Sequence, residues 1–232
     1  MKQEKVIVYP IIINKYIAQA GIASRKESDR LLKSGKILIN DKLAEPGQMV
    51  NESDRVEVRL DKQLYYYAYY KPSGVVSSCG QGDEKNIVDV LKLPKGVVPI
   101  GRLDKLSEGL IILTNDGRVT DRLLNPDRYH EKEYVVEVDK NISSRQLNNL
   151  ATGIVLDDGY KTKPAKIRQE ALNQFSIILT EGKNRQIRRM AEQVGLRVVG
   201  LKRIRIMDIG IDNLKIGEYR ELTKSEVKGI FA

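Results

Sequence analysis

Three segments of this 232-residue chain carry side chains that could do chemistry together. The first runs Gly101-Arg102-Leu103-Asp104-Lys105-Leu106-Ser107-Glu108-Gly109, continues as Leu110-Ile111-Ile112-Leu113 and ends Thr114-Asn115-Asp116-Gly117. It sets one carboxylate, Asp104, on a glycine-flanked loop that leads straight into an apolar strand, a rigid support for a functional group. Arg102 and Lys105 flank it and favour its ionised form. Taken alone, an Asp in a basic loop is more often a surface turn residue. The second segment, Lys132-Glu133-Tyr134-Val135-Val136-Glu137-Val138, alternates so that Tyr134, Val136 and Val138 share one face of a strand, which by itself makes Tyr134 a core residue. The third, Gly182-Lys183-Asn184-Arg185-Gln186-Ile187-Arg188-Arg189-Met190, reads as a helix capped by Asn184 and ended by Gly195. Ile187, Met190, Ala191 and Val194 form its apolar stripe and leave Arg185, Arg188 and Arg189 off it. From Lys183 to Arg205 eight Lys or Arg stand against one acid, Glu192, so this stretch is the stronger electrostatic candidate for a polyanion.

Composition bounds what surrounds these residues. With 41% hydrophobic residues the chain can bury a sizeable core and has room for a small second domain. Forty Lys and Arg against 31 Asp and Glu give a formal +9, which favours a polyanionic partner. One Cys, Cys79, and one His, His130, exclude an intramolecular disulfide framework and the usual Cys/His zinc sets. No ligand spacing for magnesium is visible. There is no apolar run of roughly 18 residues and no signal-peptide core in Met1 to Pro10, so a soluble, cytoplasmic protein without a membrane partner is expected. Neither a G-x-x-x-x-G-K-[ST] loop nor a G-x-G-x-x-G after a strand occurs, and the chemistry is expected to need no cofactor.

The punctuation of the chain predicts two domains, 11–60 and 65–232, joined by the polar Asp61-Lys62-Gln63-Leu64. In the first, Asn14 caps a helix ending at Gly21, and Ser24 with Glu27 forms a capping box for a second helix ending at Gly35. A strand over Lys36 to Ile39, a tight turn at Asn40-Asp41 and extended runs within Val50 to Leu60 complete a small sheet on two helices. Lys26, Arg30 and Lys33 share one face of the second helix, with Arg25 at its edge; the face is either solvated or a seat for phosphates. In the second domain strands are legible at Tyr65 to Tyr70, Leu110 to Thr114, Glu133 to Asp139, Phe175 to Glu181 and Arg197 to Ile206. Helices are legible near Ile87 to Leu91, Ser143 to Ala151 and Asn184 to Val194. Regular strand and helix alternation is missing, so an α+β fold with a mixed, largely antiparallel sheet is expected.

Two resemblances sharpen this reading. Ile13-Asn14-Lys15-Tyr16-Ile17-Ala18, Gly21, Ser24-Arg25, Gly35 and the strand ending at Asn40 resemble the S4 RNA-binding domain. That implies binding of structured RNA with Lys15, Arg25, Lys26, Arg30 and Lys33 as contacts. The run from Gly101 to Gly117, together with the second and third segments, resembles the ribosomal RNA pseudouridine synthases of the RsuA/RluB/RluE/RluF family. By that resemblance Asp104 is the nucleophile, Arg102 helps hold the flipped-out nucleotide, and Tyr134 stacks on the target base and takes its C5 proton. Arg188 stands beside Asp104 as a guanidinium fork, and Lys183, Arg185 and Arg189 are further RNA contacts. His130-Glu131-Lys132-Glu133-Tyr134, Val138-Asp139-Lys140 and Arg203-Ile204-Arg205-Ile206-Met207 most resemble the RluF subgroup, which implies a uridine of large-subunit ribosomal RNA as substrate and, as for some relatives, a transfer RNA. A monomer is expected. His130 reads as a surface residue at a strand entry, and Cys79 as a passive loop thiol. The rival classes are a non-catalytic S4-domain ribosome-assembly factor, against which intact Asp104, Tyr134 and Arg188 argue, and an enzyme that cleaves the glycosidic bond outright.

Overall fold

The computed structural model describes residues 7–59, 63–77, 85–125 and 128–232. Cys79, Leu60 and the Asp61-Lys62 half of the expected hinge lie outside the described residues. The chain divides into two compact units, Met1–Leu64 with Asp116–Asp121, and Tyr65–Asn115 with Arg122–Ala232.

In chain order the first unit contains β1 (Ile11–Ile12), α1 (Ile13–Gln19), α2 (Arg25–Lys33), β2 (Ile37–Ile39), β3 (Lys42–Leu43), β4 (Met49–Val50) and β5 (Val56–Val58). Asn14 is not the cap of α1. The helix springs directly from β1, which pairs with β4, and the Ile13 N–H finds the Gln48 carbonyl at 2.9 Å, so no side chain is needed there. Asn14 instead donates to Asp29 on α2 at 2.9 Å. Ser24 does cap α2, accepting from the Glu27 N–H at 3.3 Å, and the Glu27 carboxylate lies 3.5 Å from Arg30. Asn40 and Asp41 both take positive φ, 50° and 65°, the backbone of a two-residue hairpin turn between β2 and β3. Ile13, Ile17, Leu31, Leu32, Ile37 and Val50 fill the core. Lys15, Arg25, Lys26, Arg30 and Lys33 are all exposed.

From residue 65 onward the elements are β6 (Tyr66–Lys71), α3 (Ile87–Val90), β7 (Val98–Ile100), β8 (Glu108–Thr114), α4 (Arg118–Leu124), β9 (Lys132–Val138), α5 (Ser144–Thr152), β10 (Lys166–Ala171), β11 (Gln174–Leu179), α6 (Gln186–Gln193), β12 (Val198–Ile206), β13 (Ile209–Gly210), β14 (Tyr219–Glu221) and α7 (Lys224–Phe231). The strands form one sheet in the order β10-β11-β9-β12-β8-β6-β14, with β13 beside β12 and β7 beside β8. Among the described strands β12 and β8 run parallel; every other pairing is antiparallel. The expected mixed, largely antiparallel α+β architecture is thus present. Short or polar elements were not expected: β7, β10, β13, β14, α4 and α7, the last opened by a capping box of Thr223 and Glu226. No helix of the described residues is long and apolar enough to cross a membrane.

The parallel contact is tight. Lys202 and Arg203 of β12 stand opposite Glu108 and Gly109 of β8. Gly109 has φ +111°, and a Cβ there would lie 2.2 Å from the Arg203 carbonyl oxygen and 2.6 Å from its nitrogen, both backbone atoms that cannot swing away. Only glycine fits. Gly229, within α7, has nothing within 4 Å of an added Cβ. Gly109→Ala should therefore destabilise the protein by about 3 kcal/mol or more, whereas Gly229→Ala should stabilise it by roughly 0.5–1 kcal/mol, as read from denaturant midpoints at constant slope. Equal effects at the two positions would contradict the close approach.

Candidate active site

The loop carrying Asp104 is short, runs from β7 to β8, and is braced from beneath. Leu103 is buried, and the hydroxyl of buried Ser77 grips its backbone on both sides, accepting from the Leu103 N–H at 2.9 Å and donating to its carbonyl at 2.7 Å. The Ser107 N–H donates to the Asp104 carbonyl at 3.0 Å, closing a turn. Lys71, 0% exposed at the end of β6, donates to the carbonyls of Pro72 (2.8 Å), Val75 (2.7 Å) and Lys105 (3.4 Å). Gly74 N–H adds a bond to Lys105 at 2.7 Å. With its backbone held this way, Asp104 presents a carboxylate whose side chain is 32% exposed.

Arg188 comes to the same loop from α6. It is buried, and its terminal nitrogens are spent on the scaffold: one donates to the Val198 carbonyl at 3.1 Å, the other to the Leu106 carbonyl and the Ser107 hydroxyl, each at 3.3 Å. Only Nε faces Asp104, at 3.9 Å from Oδ2, and it has no hydrogen-bond partner. The expected fork on the carboxylate is therefore corrected to a single-nitrogen approach, because a planar guanidinium whose two ends hold backbone cannot also grip a carboxylate with both. Burial, then the neighbouring Arg185, push the Arg188 pKa down, and Asp104 and Glu192 oppose them. The helix begins differently too. Asn184 is not its cap: Arg185 holds that position in the left-handed region, φ 48°, without a side-chain bond. The buried side chain of Gln186 ties the turn instead, accepting from the Lys183 N–H at 2.9 Å and donating to buried Glu181.

Tyr134 of β9 is buried in one apolar cluster with Leu103, Ile187 and Leu201, so the Asp104 loop, α6, β9 and β12 share a core. Its cross-strand neighbours are Ile177 on one side and Arg203 on the other. Arg203 is 4% exposed; its Nε donates to the Leu110 carbonyl at 2.7 Å, and its Nη2 is buried without a partner. A carboxylate on a braced loop, a buried arginine facing it and a tyrosine in the same core as the neighbouring Leu103 thus fall in one region of the catalytic unit.

The model of the RNA pseudouridylate synthase family matches residues 65–193, and that of the S4 domain matches residues 13–56. This chain belongs to the RNA pseudouridylate synthase family. It is 42% identical over 94% of its length to the Dual-specificity RNA pseudouridine synthase RluF of Escherichia coli (strain K12), covering 78% of that protein. It is 40% identical to the Ribosomal large subunit pseudouridine synthase B of Bacillus subtilis (strain 168), with 95% of each chain covered. A solved structure described as the crystal structure of pseudouridylate synthase superposes with a TM-score of 0.72 at 28% identity, over 95% of this chain and 99% of the other.

Within the family site, the basic stretch from Lys183 to Arg205 is less available than its charge suggests. Arg188 and Arg203 are buried. Arg189 is paired with Asp157 and Asp158, Arg197 with Asp139, and Arg205 with Glu131 and Glu133. Lys183 lies over the Tyr160 ring at 4.4 Å and Lys202 over the Tyr70 ring at 5.0 Å, while Arg185 and Arg102 are exposed. His130, expected at the surface, is half-buried at the entry to β9, and burial pushes its pKa down. Lys71 and Arg203 escaped the sequence reading. Their signals were slight: Lys71 ends an aromatic strand just before Pro72, and Arg203 follows Leu201 at a two-residue step on an inward strand face. No group of three or more His, Cys, Asp or Glu among the described residues could hold a metal ion.

Burial pushes the Lys71 pKa down to about 8, with Arg203 acting in the same direction against Asp104 and Glu108. That lies below the ordinary 10.5 of an unfolded lysine, so between those values the unfolded chain holds the additional proton and raising the pH favours the folded state. Wild type should accordingly gain stability relative to Lys71→Met as the pH rises from about 8 to about 10, measured by denaturation of both proteins across that range. A difference independent of pH would show that Lys71 keeps its ordinary proton affinity.

Proposed function

We propose that this chain isomerises a uridine of large-subunit ribosomal RNA to pseudouridine, with Asp104 as the nucleophile. The observation that carries the reading is the Asp104 carboxylate, one-third exposed on a loop pinned by Ser77 and Lys71 and faced by the buried Arg188 Nε at 3.9 Å. A uridine in folded RNA hides its glycosidic bond, so the enzyme extrudes the nucleotide at a cost of a few kcal/mol and holds it in the site. Exposed Lys15, Arg25, Lys26, Arg30 and Lys33 on the S4 unit, with Arg102, Lys183 and Arg185 on the catalytic unit, take phosphates and offset that cost. Arg189, engaged by two aspartates, serves the scaffold first. Recognition rests on loop shape and unstacked bases, because side chains do not read the deep A-form groove.

Once the nucleotide is flipped, Tyr134 packs on the base. The Asp104 carboxylate attacks C1′ or removes the neighbouring C2′ proton, and in either case the bond from C1′ to N1 breaks. Uracil turns in the site, C5 joins C1′, and the C5 proton is lost. Arg188 faces the carboxylate with a fixed guanidinium that takes part in no proton transfer. The large-subunit substrate and a second, transfer RNA substrate are supported by the likeness to the RluF subgroup, and a monomer suffices because every residue assigned comes from one chain.

Bacterial large-subunit ribosomal RNA and transfer RNA carrying tritium at uridine C5 give the test. Wild type should release tritium to water without free uracil or chain cleavage, and Asp104→Asn should lower the rate at least about a thousandfold while binding RNA with affinity unchanged within roughly threefold. Turnover surviving in Asp104→Asn would remove the nucleophile assignment. Free uracil would indicate outright cleavage, and tight binding with no release from either RNA would indicate an assembly factor.

A further inference from the structure

Lys71, Gly109, Arg203 and Tyr134 are successive cross-strand partners on β6, β8, β12 and β9. Two of the four carry a positive charge with side chains 0% and 4% exposed, and the residue between them has no side chain. Arg188 adds a third buried cation from α6. Lys71 feels two acids, Asp104 and Glu108, and Glu108 already accepts the Tyr70 hydroxyl at 2.9 Å. Two cationic N–H groups, Nε of Arg188 and Nη2 of Arg203, are buried with no acceptor. Buried cations of this kind are costly unless negative charge meets them, and the side chains alone supply less of it than the cations call for.

The reaction supplies the remainder. When the bond from C1′ to N1 breaks, its electron pair departs with uracil, which becomes an anion delocalised over N1, O2 and O4. Asp104 meets the electron deficiency at C1′ by forming a carbon–oxygen bond, or by taking the C2′ proton so that a sugar double bond forms. The anion later gives a pair from C5 to C1′, displacing the Asp104 carboxylate on the first route or adding to the sugar double bond as Asp104 returns the proton to C2′ on the second; the C5 proton then leaves and N1 takes one up, so atoms and charge balance. We propose that Lys71 and Arg203 form an electrostatic pair that stabilises the uracil anion released during the isomerisation, a role that rests on the synthase reading above.

The placement favours the base over a phosphate. Arg203 is the direct cross-strand neighbour of Tyr134, the residue assigned to the base, whereas the cations free to reach the backbone of an RNA, Arg102 and Arg185, are exposed. Arg203 and Lys71 hold scaffold carbonyls and act through their field rather than by touching the substrate, which makes them positioning residues. Their field is strong because both side chains are buried from solvent, and it favours the transition state because neutral uridine gains little from it. Fixed before the reaction begins, it requires no reorganisation as charge develops.

A leaving-group test separates this role from a structural one. Large-subunit ribosomal RNA is transcribed with either uridine or 5-fluorouridine, and consumption of the target nucleotide is followed under single-turnover conditions by nuclease digestion and liquid chromatography with tandem mass spectrometry, which tells the isomeric nucleosides apart by retention and by the fragmentation of the C-glycoside. Arg203→Met should slow uridine conversion about a hundredfold, with RNA affinity held within about threefold. With 5-fluorouridine, whose fluorine stabilises the anion itself and whose C5-linked product, having no C5 proton to lose, keeps its fluorine and takes up water at C6, the loss of rate should shrink to about tenfold or less, and Arg203→Lys should keep most of the wild-type rate on both RNAs. Lys71→Gln supplies the same comparison if Arg203→Met does not fold. An equal loss on the two RNAs, accompanied by a lowered melting temperature, would overturn the proposal in favour of a merely structural arginine. Weakened RNA binding with an intact single-turnover rate would overturn it in favour of a phosphate grip. Wild type is the control: its failure on uridine RNA would sink the synthase reading, whereas its success leaves the two-substrate comparison to decide this inference alone.

Discussion

The site depends on one steric constraint, the close parallel approach of β8 and β12 at Gly109. A side chain at that position would overlap the backbone of Arg203. Because the strands meet there, the Asp104 loop, which feeds directly into β8, lies at the same level of the sheet as Arg203 on β12 and Tyr134 on β9. Parallel neighbours need a long crossover, and the chain between these two uses it to lay down β9, β10, β11 and α6. The helix that carries Arg188 therefore ends just before β12 begins, and Arg188 reaches forward to Val198, the first residue of that strand.

Arg188 is the tie that follows from this arrangement. One guanidinium joins the start of β12 to the loop before β8 and still leaves a nitrogen facing the carboxylate. A lysine could neutralise Asp104, but its single nitrogen could not reach Val198 on one side and Leu106 and Ser107 on the other while still facing the carboxylate. Ser77 and Lys71 brace the opposite side of the loop, each through carbonyls of the backbone rather than through Asp104 itself. The Asp104 carboxylate is thus left with no strong hydrogen bond of its own from these braces, and its geometry is set by what holds its neighbours.

How much of this was legible in the sequence follows from where each signal lives. Long apolar strands announced themselves: β8 and β9 were expected to within a residue or two, as was α2 from Ser24 and Gly35, because burial and capping leave local marks. β10 and β14 are largely polar and exposed, and α7 is short, so their periodicity is weak. Asn14 and Asn184 misled for a common reason. Both are good capping residues on paper, yet α1 grows from a strand and α6 from a left-handed turn held by Gln186, and these are tertiary supports that spacing does not reveal. Asp104, Tyr134 and Arg188 are assigned through the resemblance of the whole run rather than through local physics. Lys71 and Arg203 were missed because a buried lysine or arginine looks, in a sequence, like any solvated one.

That last point bears on how the positive charge is divided. The formal +9 suggests a single electrostatic purpose, but the structure sorts the cations into three groups. Exposed ones on α2 and around Arg102 and Arg185 face water and are open to counterions, so their pull on RNA fades with salt. Arg189, Arg197 and Arg205 are tied to carboxylates and hold the edges of the catalytic unit together. Lys71, Arg188 and Arg203 are screened from water by the sheet and its loops, so salt reaches them poorly. On the function proposed above, capture of the RNA and treatment of the base would be served by cations that respond to different conditions, although both belong to one basic chain. The buried set is held by backbone carbonyls more than by acids, which is the arrangement that the proposed stabilisation of a uracil anion calls for.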